Sequence, residues 1–272
     1  MSNGANGGLM PTVDIAVIGS GIAGLFLANR CAEKGLRVAL ITKKSISTSN
    51  TNWAQGGIAG VLDPNDEKAI EAHVQDTLSS GAGLCHEKVV RSVVSEAADR
   101  IRDLENRGVR FDKNHHGEYD TVREGGHSNR RILHSKDATG AEIERALAEF
   151  ASREIDDDFK IYEDWMAVDL IQREYGNPKK GIIGLWCLSP QGTVHTLPAK
   201  AVVLATGGVG YLYSSTTNPS IATGDGVAMA FRSGADIKDI EFIQFHPTSL
   251  AIDKSKPFLI TEAMRGKGAV LM

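Results

Sequence analysis

The chain has 272 residues, 42% of them hydrophobic and 24% charged, with a formal net charge of −4. That length can bury a full core and predicts one large domain plus part of another, while the mild acidity leaves no electrostatic footprint for nucleic acid or an anionic membrane. Cys31, Cys85 and Cys187 stand far apart with no C-x-x-C pair, which excludes a disulfide framework and a zinc site and fits a reducing compartment. No metal is expected. No stretch reaches the roughly 20 apolar residues that a spanning helix needs, so the expectation is a soluble cytoplasmic protein. Residues 1–10 lack the basic start of a signal peptide and the arginines of a transit peptide and are expected to be a flexible tail.

Val13 to Ile18 is a short apolar run that breaks into Gly19-Ser20-Gly21-Ile22-Ala23-Gly24 and continues as Leu25-Phe26-Leu27-Ala28. Strand, glycine turn and helix in that order suit a dinucleotide pyrophosphate. Gly19 permits the tight turn, Gly21 lets backbone approach the phosphates, Gly24 lets helix pack on strand, and the helix N-terminus offers N–H groups to the anion. Gly35 closes the helix, and Arg37 to Thr42 resumes as a strand, completing a βαβ unit. Thr42-Lys43 stands where a ribose-binding carboxylate normally follows, which argues against a plain NAD dehydrogenase. Lys43 suits either a phosphate or ribose of a larger dinucleotide or a solvated loop position.

Helical periodicity covers 69–80 and 87–107, the second with apolar Val90, Val93, Val94, Ala97, Ile101 and Leu104 and with Gly108 as C-cap. A third helix is expected at 138–150. Strand-like runs follow at 160–162, 167–171, 181–186 and 193–196, the last two forming an antiparallel hairpin across Ser189-Pro190-Gln191-Gly192. Residues 199–208 read as a separate buried strand ending in Ala205-Thr206-Gly207-Gly208, a second place where backbone can come close to a dinucleotide. Glycine clusters recur at 56–60, 125–126, 207–208 and 224–226 without a fixed period, so a solenoid is excluded. Thr223-Gly224-Asp225-Gly226 opens a helix at 227–232, where Asp225 is either a polar contact to the dinucleotide or an N-cap. The fold class expected is α/β: a doubly wound, Rossmann-like domain with inserted antiparallel strands.

A series of motifs runs in order from Asp14 to Ala269: G-S-G-I-A-G, W-A-Q-G-G-I, D-T-L-S-S-G-A-G-L-C, R-E-G-G-H-S-x-R-R-I-L-H, D-A-T-G, V-V-L-A-T-G-G, T-T-N-P, G-D-G-x-A-M-A, E-F-I-Q-F-H-P-T and T-E-A-M-R-G. On these the chain resembles the L-aspartate oxidase family of flavoproteins, within the succinate dehydrogenase and fumarate reductase superfamily. The resemblance implies an FAD-binding domain over 11–239 and, over 240–272, the beginning of an α+β substrate-capping domain. It implies FAD contacts at Gly19, Ser20, Gly21, Ile22, Ala23, Gly24 and Lys43, along Asn50, Thr51, Asn52, Trp53, Ala54, Gln55, Gly56 and Gly57, and at Asp225. Members with covalent flavin carry histidine where this chain has Asn50, so the FAD is expected to be non-covalent.

The resemblance further implies oxidation of L-aspartate to iminoaspartate, with O2 or fumarate as acceptor and quinolinate synthase as recipient, at the first step of NAD synthesis. Glu124, in place of the apolar or amide residue of the dicarboxylate reductases, would meet the substrate amine; without the family it reads as a surface carboxylate. His246, Thr261, Glu262 and Arg265 stand where the family binds substrate carboxylates, although a histidine before proline is also a structural residue and Arg265 also suits a surface ion pair. Two departures stand out. Lys267 replaces a glutamate between Gly266 and Gly268, and the family's proton-transferring arginine has no counterpart in 1–272, so little or no turnover is expected of this chain alone. The alternatives are a soluble flavoprotein of the fumarate reductase type and an FAD-binding module without catalysis.

Overall fold

Apolar runs bounded by glycine set the frame of the molecule, for which the computed structural model describes residues 7–246, 248–250, 258–261 and 270. In chain order the elements are β1 (Val13–Ile18), α1 (Ile22–Ala32), β2 (Val38–Ile41), α2 (Asn50–Trp53), β3 (Ile58–Ala59), α3 (Glu67–Ser80), α4 (Glu87–Asn106), β4 (Ile132–Leu133), α5 (Thr139–Arg153), β5 (Phe159–Tyr162), β6 (Met166–Gln172), β7 (Ile182–Leu188), β8 (Val194–Leu204), α6 (Asp225–Arg232), β9 (Ser249–Leu250) and β10 (Phe258–Leu259). Six strands form one sheet in the order β5-β2-β1-β8-β7-β6. The first four run parallel, with β1 flanked by β2 and β8, and β7 and β6 are added antiparallel.

Because β1 and β2 are covered on both faces, they read as continuous apolar runs rather than alternating ones. Val17 and Leu40 point into a core shared with Leu25 of α1, Leu147 of α5 and Phe159, all essentially inaccessible to water. Their neighbours Ala16, Ile18, Ala39 and Ile41 point the other way, toward Leu185, Leu197 and Met229 of α6. Helices on opposite faces of a largely parallel sheet are the doubly wound arrangement expected from the sequence. Asn29, fully buried in α1, donates to Leu147 O at 3.1 Å and so ties the two helices on that face together.

Three local expectations need correction. Residues 193–196 and 199–208 are not two strands: β8 is a single 11-residue strand that passes through Pro198. Its first half pairs with β7 and its second half with β1, and Pro198 closes the β7 ladder opposite Gly184, so its missing N–H falls where the strand changes partners. Asp225 is not an N-cap, since Gly224 takes that place in a left-handed conformation (φ 79°) and Asp225 is the first helical residue. The expected tail is in part fixed: Met10 is buried, and Met10 N donates to Thr196 O at 2.8 Å while Thr196 N donates to Gly8 O.

Candidate functional site

A cleft of about 400 Å³ opens at the C-terminal ends of β1, β2 and β8, the place where an α/β sheet with a topological switch binds its ligands. Gly19, Ser20, Gly21, Ile22, Ala23, Lys43, Asn50, Thr51 and Asp225 all line it, so the structure brings together the βαβ turn, the end of β2, the start of α2 and the start of α6. The turn requires its glycines. Gly19 has φ 107°, and a Cβ on it would lie 2.2 Å from Ala205 O; one on Gly24 would lie 1.8 Å from Gly19 O. Gly24 accordingly serves the packing of α1 on β1 rather than the cleft wall. The N-terminus of α1 has no side-chain cap from Gly21 and no acidic residue in its first turn, which leaves its positive end facing the cleft. A pyrophosphate fits such a cradle.

Lys43 is not a free cation at the adenosine end. Its Nζ donates to Ile221 O (2.7 Å), Thr223 Oγ1 (2.8 Å) and Asp225 Oδ2 (2.5 Å), which occupies all three ammonium protons. Lys43 and Asp225 therefore line the cleft as a bonded pair. Thr42 Oγ1 sits 2.9 Å from Ser20 Oγ, both buried, so the end of β2 itself offers hydroxyls, and the carboxylate bonded to Lys43 there comes from Asp225 of α6.

The short helix α2 was not foreseen from the sequence. Ser49 caps it, accepting from Asn52 N at 3.1 Å, and Thr51 Oγ1 accepts from Ile22 N at 3.0 Å, so α2 is fastened to the start of α1. From below, α5 presses on it: a Cβ on Gly140 would lie 1.9 Å from Thr51 O. Asn52, Trp53 and Ala54 continue past the cleft wall, with Trp53 42% exposed. Ser49, Trp165, Ala222 and Met229 are among the cleft residues that sequence reading missed. Only the serine carries a local signal, as an N-cap four residues before Trp53.

Beyond α2 the chain turns toward the predicted substrate residues. Gln55 Nε2 donates to Leu259 O of β10 at 3.1 Å, and a Cβ on Gly56 would sit 3.9 Å from Glu124 Oε2, so Glu124 stands beside the A-Q-G-G loop. Gly57 lies against Leu133 O of β4, 2.2 Å from where its Cβ would be. His246 is held by Thr248, whose backbone N and Oγ1 lie 3.3 and 3.0 Å from His246 Nδ1. Thr248 Oγ1 donates to Ile260 O at 3.1 Å, and Thr261 follows directly. The β9–β10 hairpin thus brings Gln55, His246 and Thr261 into one region. Glu262, Arg265 and Lys267 lie outside the described residues.

Among the described residues, the most deeply buried carboxylate is one the sequence reading passed over. Glu144 of α5 is 1% exposed, its carboxylate cut off from water and facing the Ser49 hydroxyl. Burial pushes its carboxyl up to about 7, with the Ser49 hydroxyl pulling weakly the other way. Among the described residues no cluster of three or more metal-ligating side chains occurs, and no helix is long and apolar enough to cross a membrane.

The arrangement agrees with what known proteins show. Residues 14–272 match the family model described as FAD binding domain. The chain is 45% identical over 273 residues to L-aspartate oxidase 2-b, chloroplastic, of Nicotiana tabacum, covering 95% of this chain and 40% of that protein. It is 46% identical over 267 residues to L-aspartate oxidase of Pseudomonas aeruginosa, covering 95% and 49%. The chain therefore spans less than half the length of these curated relatives. Among solved structures, the apo Sdh1 complex of Mycobacterium smegmatis superposes with a TM-score of 0.85 at 34% identity, covering 98% of this chain and 46% of that one. A quinol-fumarate reductase with menaquinol molecules gives 0.85 at 32%, covering 95% and 44%. With a glycine cradle shaped for a pyrophosphate and a family match from Asp14 to the last residue, the chain belongs to the FAD binding domain family and FAD is its cofactor.

Proposed function

We propose that this chain contributes the flavin site and part of the substrate site of an L-aspartate oxidase, which converts L-aspartate to iminoaspartate and passes the electrons to O2 or fumarate. The observation that carries this reading is the Glu124 carboxylate beside Gly56 of the flavin loop, on a chain 43–46% identical to proteins named L-aspartate oxidase. A carboxylate there suits an ammonium, which succinate and fumarate lack. FAD, when bound, supplies the acceptor for the hydride that leaves the substrate Cα.

The chain's own residues bind and orient. Glu124 pairs with the substrate amine, and His246, its ring oriented by Thr248 through Nδ1, stands on the side of the substrate carboxylates. Thr261, Glu262 and Arg265 stand where the resemblance implies binding of the substrate carboxylates. Asn50, where covalent members have histidine, has no nucleophilic ring nitrogen to form a flavin bond, which supports non-covalent FAD. Quinolinate synthase is the proposed consumer of the product. The fumarate reductase alternative draws on the solved neighbours, and Glu124 argues against it, since a carboxylate beside a dicarboxylate substrate adds repulsion.

The test is a titration of the FAD-loaded protein with L-aspartate and with succinate, followed by the visible flavin absorbance. Glu124→Gln is expected to weaken L-aspartate by about 30-fold or more, the cost of unpairing a desolvated charge pair, and to leave succinate unchanged or tighter. Equal effects on the two ligands would remove Glu124 from amine recognition and with it the main support for an amine substrate.

A further inference from the structure

The segment that carries Glu124 is a hairpin whose two arms meet at Val122 and Ile132, each donating its N–H to the other's carbonyl. At its tip His127 N donates to Glu124 O (3.2 Å) across a turn in which Gly126 has φ 81°. That is the left-handed residue of a tight turn, with Glu124 at its first position. A two-stranded hairpin on its own is marginally stable in water, and this one pairs only at its base. Something else must hold the tip.

That role falls to one side chain on α3. Asp76 Oδ2 accepts from Ser128 N (2.8 Å), Ser128 Oγ (2.8 Å) and Arg131 Nη1 (2.6 Å). Arg131 is buried, its side chain 3% exposed, and it also donates to His127 Nδ1 at 3.2 Å and to Ser128 Oγ at 3.3 Å. The other groups facing this cluster are the His73 ring, 5.6 Å from that of His127, and Ser80 Oγ, 3.3 Å from where a Gly126 Cβ would lie. The Asp76 carboxyl is held well below the usual carboxylate range by the Ser128 N–H, the Arg131 guanidinium and the Ser128 hydroxyl, so this clamp is charged at any ordinary pH.

Resting on the reading of Glu124 given above, we infer that Asp76 is a positioning residue for amine recognition: by clamping Ser128 and Arg131 it sets where Glu124 stands relative to Gly56. Asp76 does not touch the substrate. Its effect reaches the substrate through the four-residue turn from Glu124 to His127, whose register the Ser128 bonds fix. Loss of the clamp lets the turn shift while the glycine cradle, built from β1, α1 and α2, stays as it is. Binding of the amine and binding of FAD therefore respond differently.

The experiment compares Asp76→Ala, Ser128→Ala and Glu124→Gln with the unmodified FAD-loaded protein, measuring affinity for FAD, L-aspartate and succinate, together with amide hydrogen exchange over 122–132. Asp76→Ala is expected to weaken L-aspartate by about tenfold, to change FAD and succinate by less than about twofold, and to speed exchange at the Ser128 amide. Ser128→Ala keeps the buried Asp76–Arg131 pair and so guards against a folding defect; a smaller loss in the same direction is expected. If Asp76→Ala weakens L-aspartate and succinate equally, or weakens neither, while Glu124→Gln is selective, the positioning role is overturned and the function stands. If Glu124→Gln is itself unselective, the function reading falls, and unchanged exchange at Ser128 in Asp76→Ala would overturn the clamp as well.

Discussion

At the scale of single residues, Glu144 sets a pH dependence that an ordinary carboxylate would not. Burial raises its carboxyl from the ordinary 4.5 to about 7. Below about 4.5 the group is protonated in both the folded and the unfolded chain and costs nothing. As pH rises from there the unfolded chain releases the proton while the folded chain holds it, so stability falls until about pH 7 and then levels off. The full difference is about 3 kcal/mol at the constant for one pKa unit. Glu144→Gln, which keeps shape and removes the charge, is expected to raise stability at pH 8 by up to that amount and to flatten this part of the profile. Urea unfolding at a series of pH values measures it; a profile that Glu144→Gln leaves unchanged would mean that water reaches the carboxylate. The buried side chain lies under Ser49, the cap of α2, which makes the same residue a support for that wall of the cleft.

At the scale of elements, the cleft is held open by a few cross-links between segments distant in sequence. Lys43 joins the end of β2 to the 221–225 segment and to α6, 182 residues away. The pair is partly buried, 29% and 26% exposed at the two side chains, where a charge-assisted bond contributes about 1.5–3 kcal/mol. A double-mutant cycle of Lys43→Met and Asp225→Asn is expected to return a coupling of about 1 kcal/mol or more. A coupling near zero would show that solvent screens the pair and that the backbone alone places α6. Either result bears on FAD, because Ile221, Ala222 and Asp225 all line the cleft.

At the scale of the whole molecule, the cleft joins the three strand ends, α1, α2 and α6, so FAD bound in it would stabilise the fold as a unit. With FAD at a hundredfold excess over its Kd, mass action adds about 2.7 kcal/mol. For a chain of this size that corresponds to a rise in Tm of about 5–10 °C. Scanning calorimetry with and without FAD measures it, and an unchanged Tm would contradict the assignment of the cleft. The second large concavity, about 550 Å³ between α1, α3 and α4, is apolar and has Val93 66% exposed on its rim. The predicted apolar stripe of α4 is therefore real but divided: Val94, Ile101 and Leu104 are buried, and Val93 is not.

The sequence by itself determined what depends on local backbone chemistry. The βαβ turn was legible because only glycine tolerates φ 107° at Gly19 or the contact of Gly24 with Gly19 O. The helices α3 and α4 were legible from apolar spacing; the end of α4 was legible from Gly108, which with φ 95° stands one residue beyond the C-cap, Arg107. The order of motifs was enough to indicate the family. What the tertiary structure decided depends on partners far apart in the chain. Lys43 reads from sequence as a loop cation or a phosphate ligand, and becomes a strut only because Asp225 and Ile221 lie against it. Pro198 looks like a break between strands, and is accommodated because β8 changes neighbours there. Asp76 looks like one polar residue on an exposed helix face, and the hydrogen bonds that give it a role come from residues more than 50 positions later. Glu144 follows the same rule, since a glutamate in an amphipathic helix is ordinarily solvated, and only the packing of α5 against α1 and α2 removes its water.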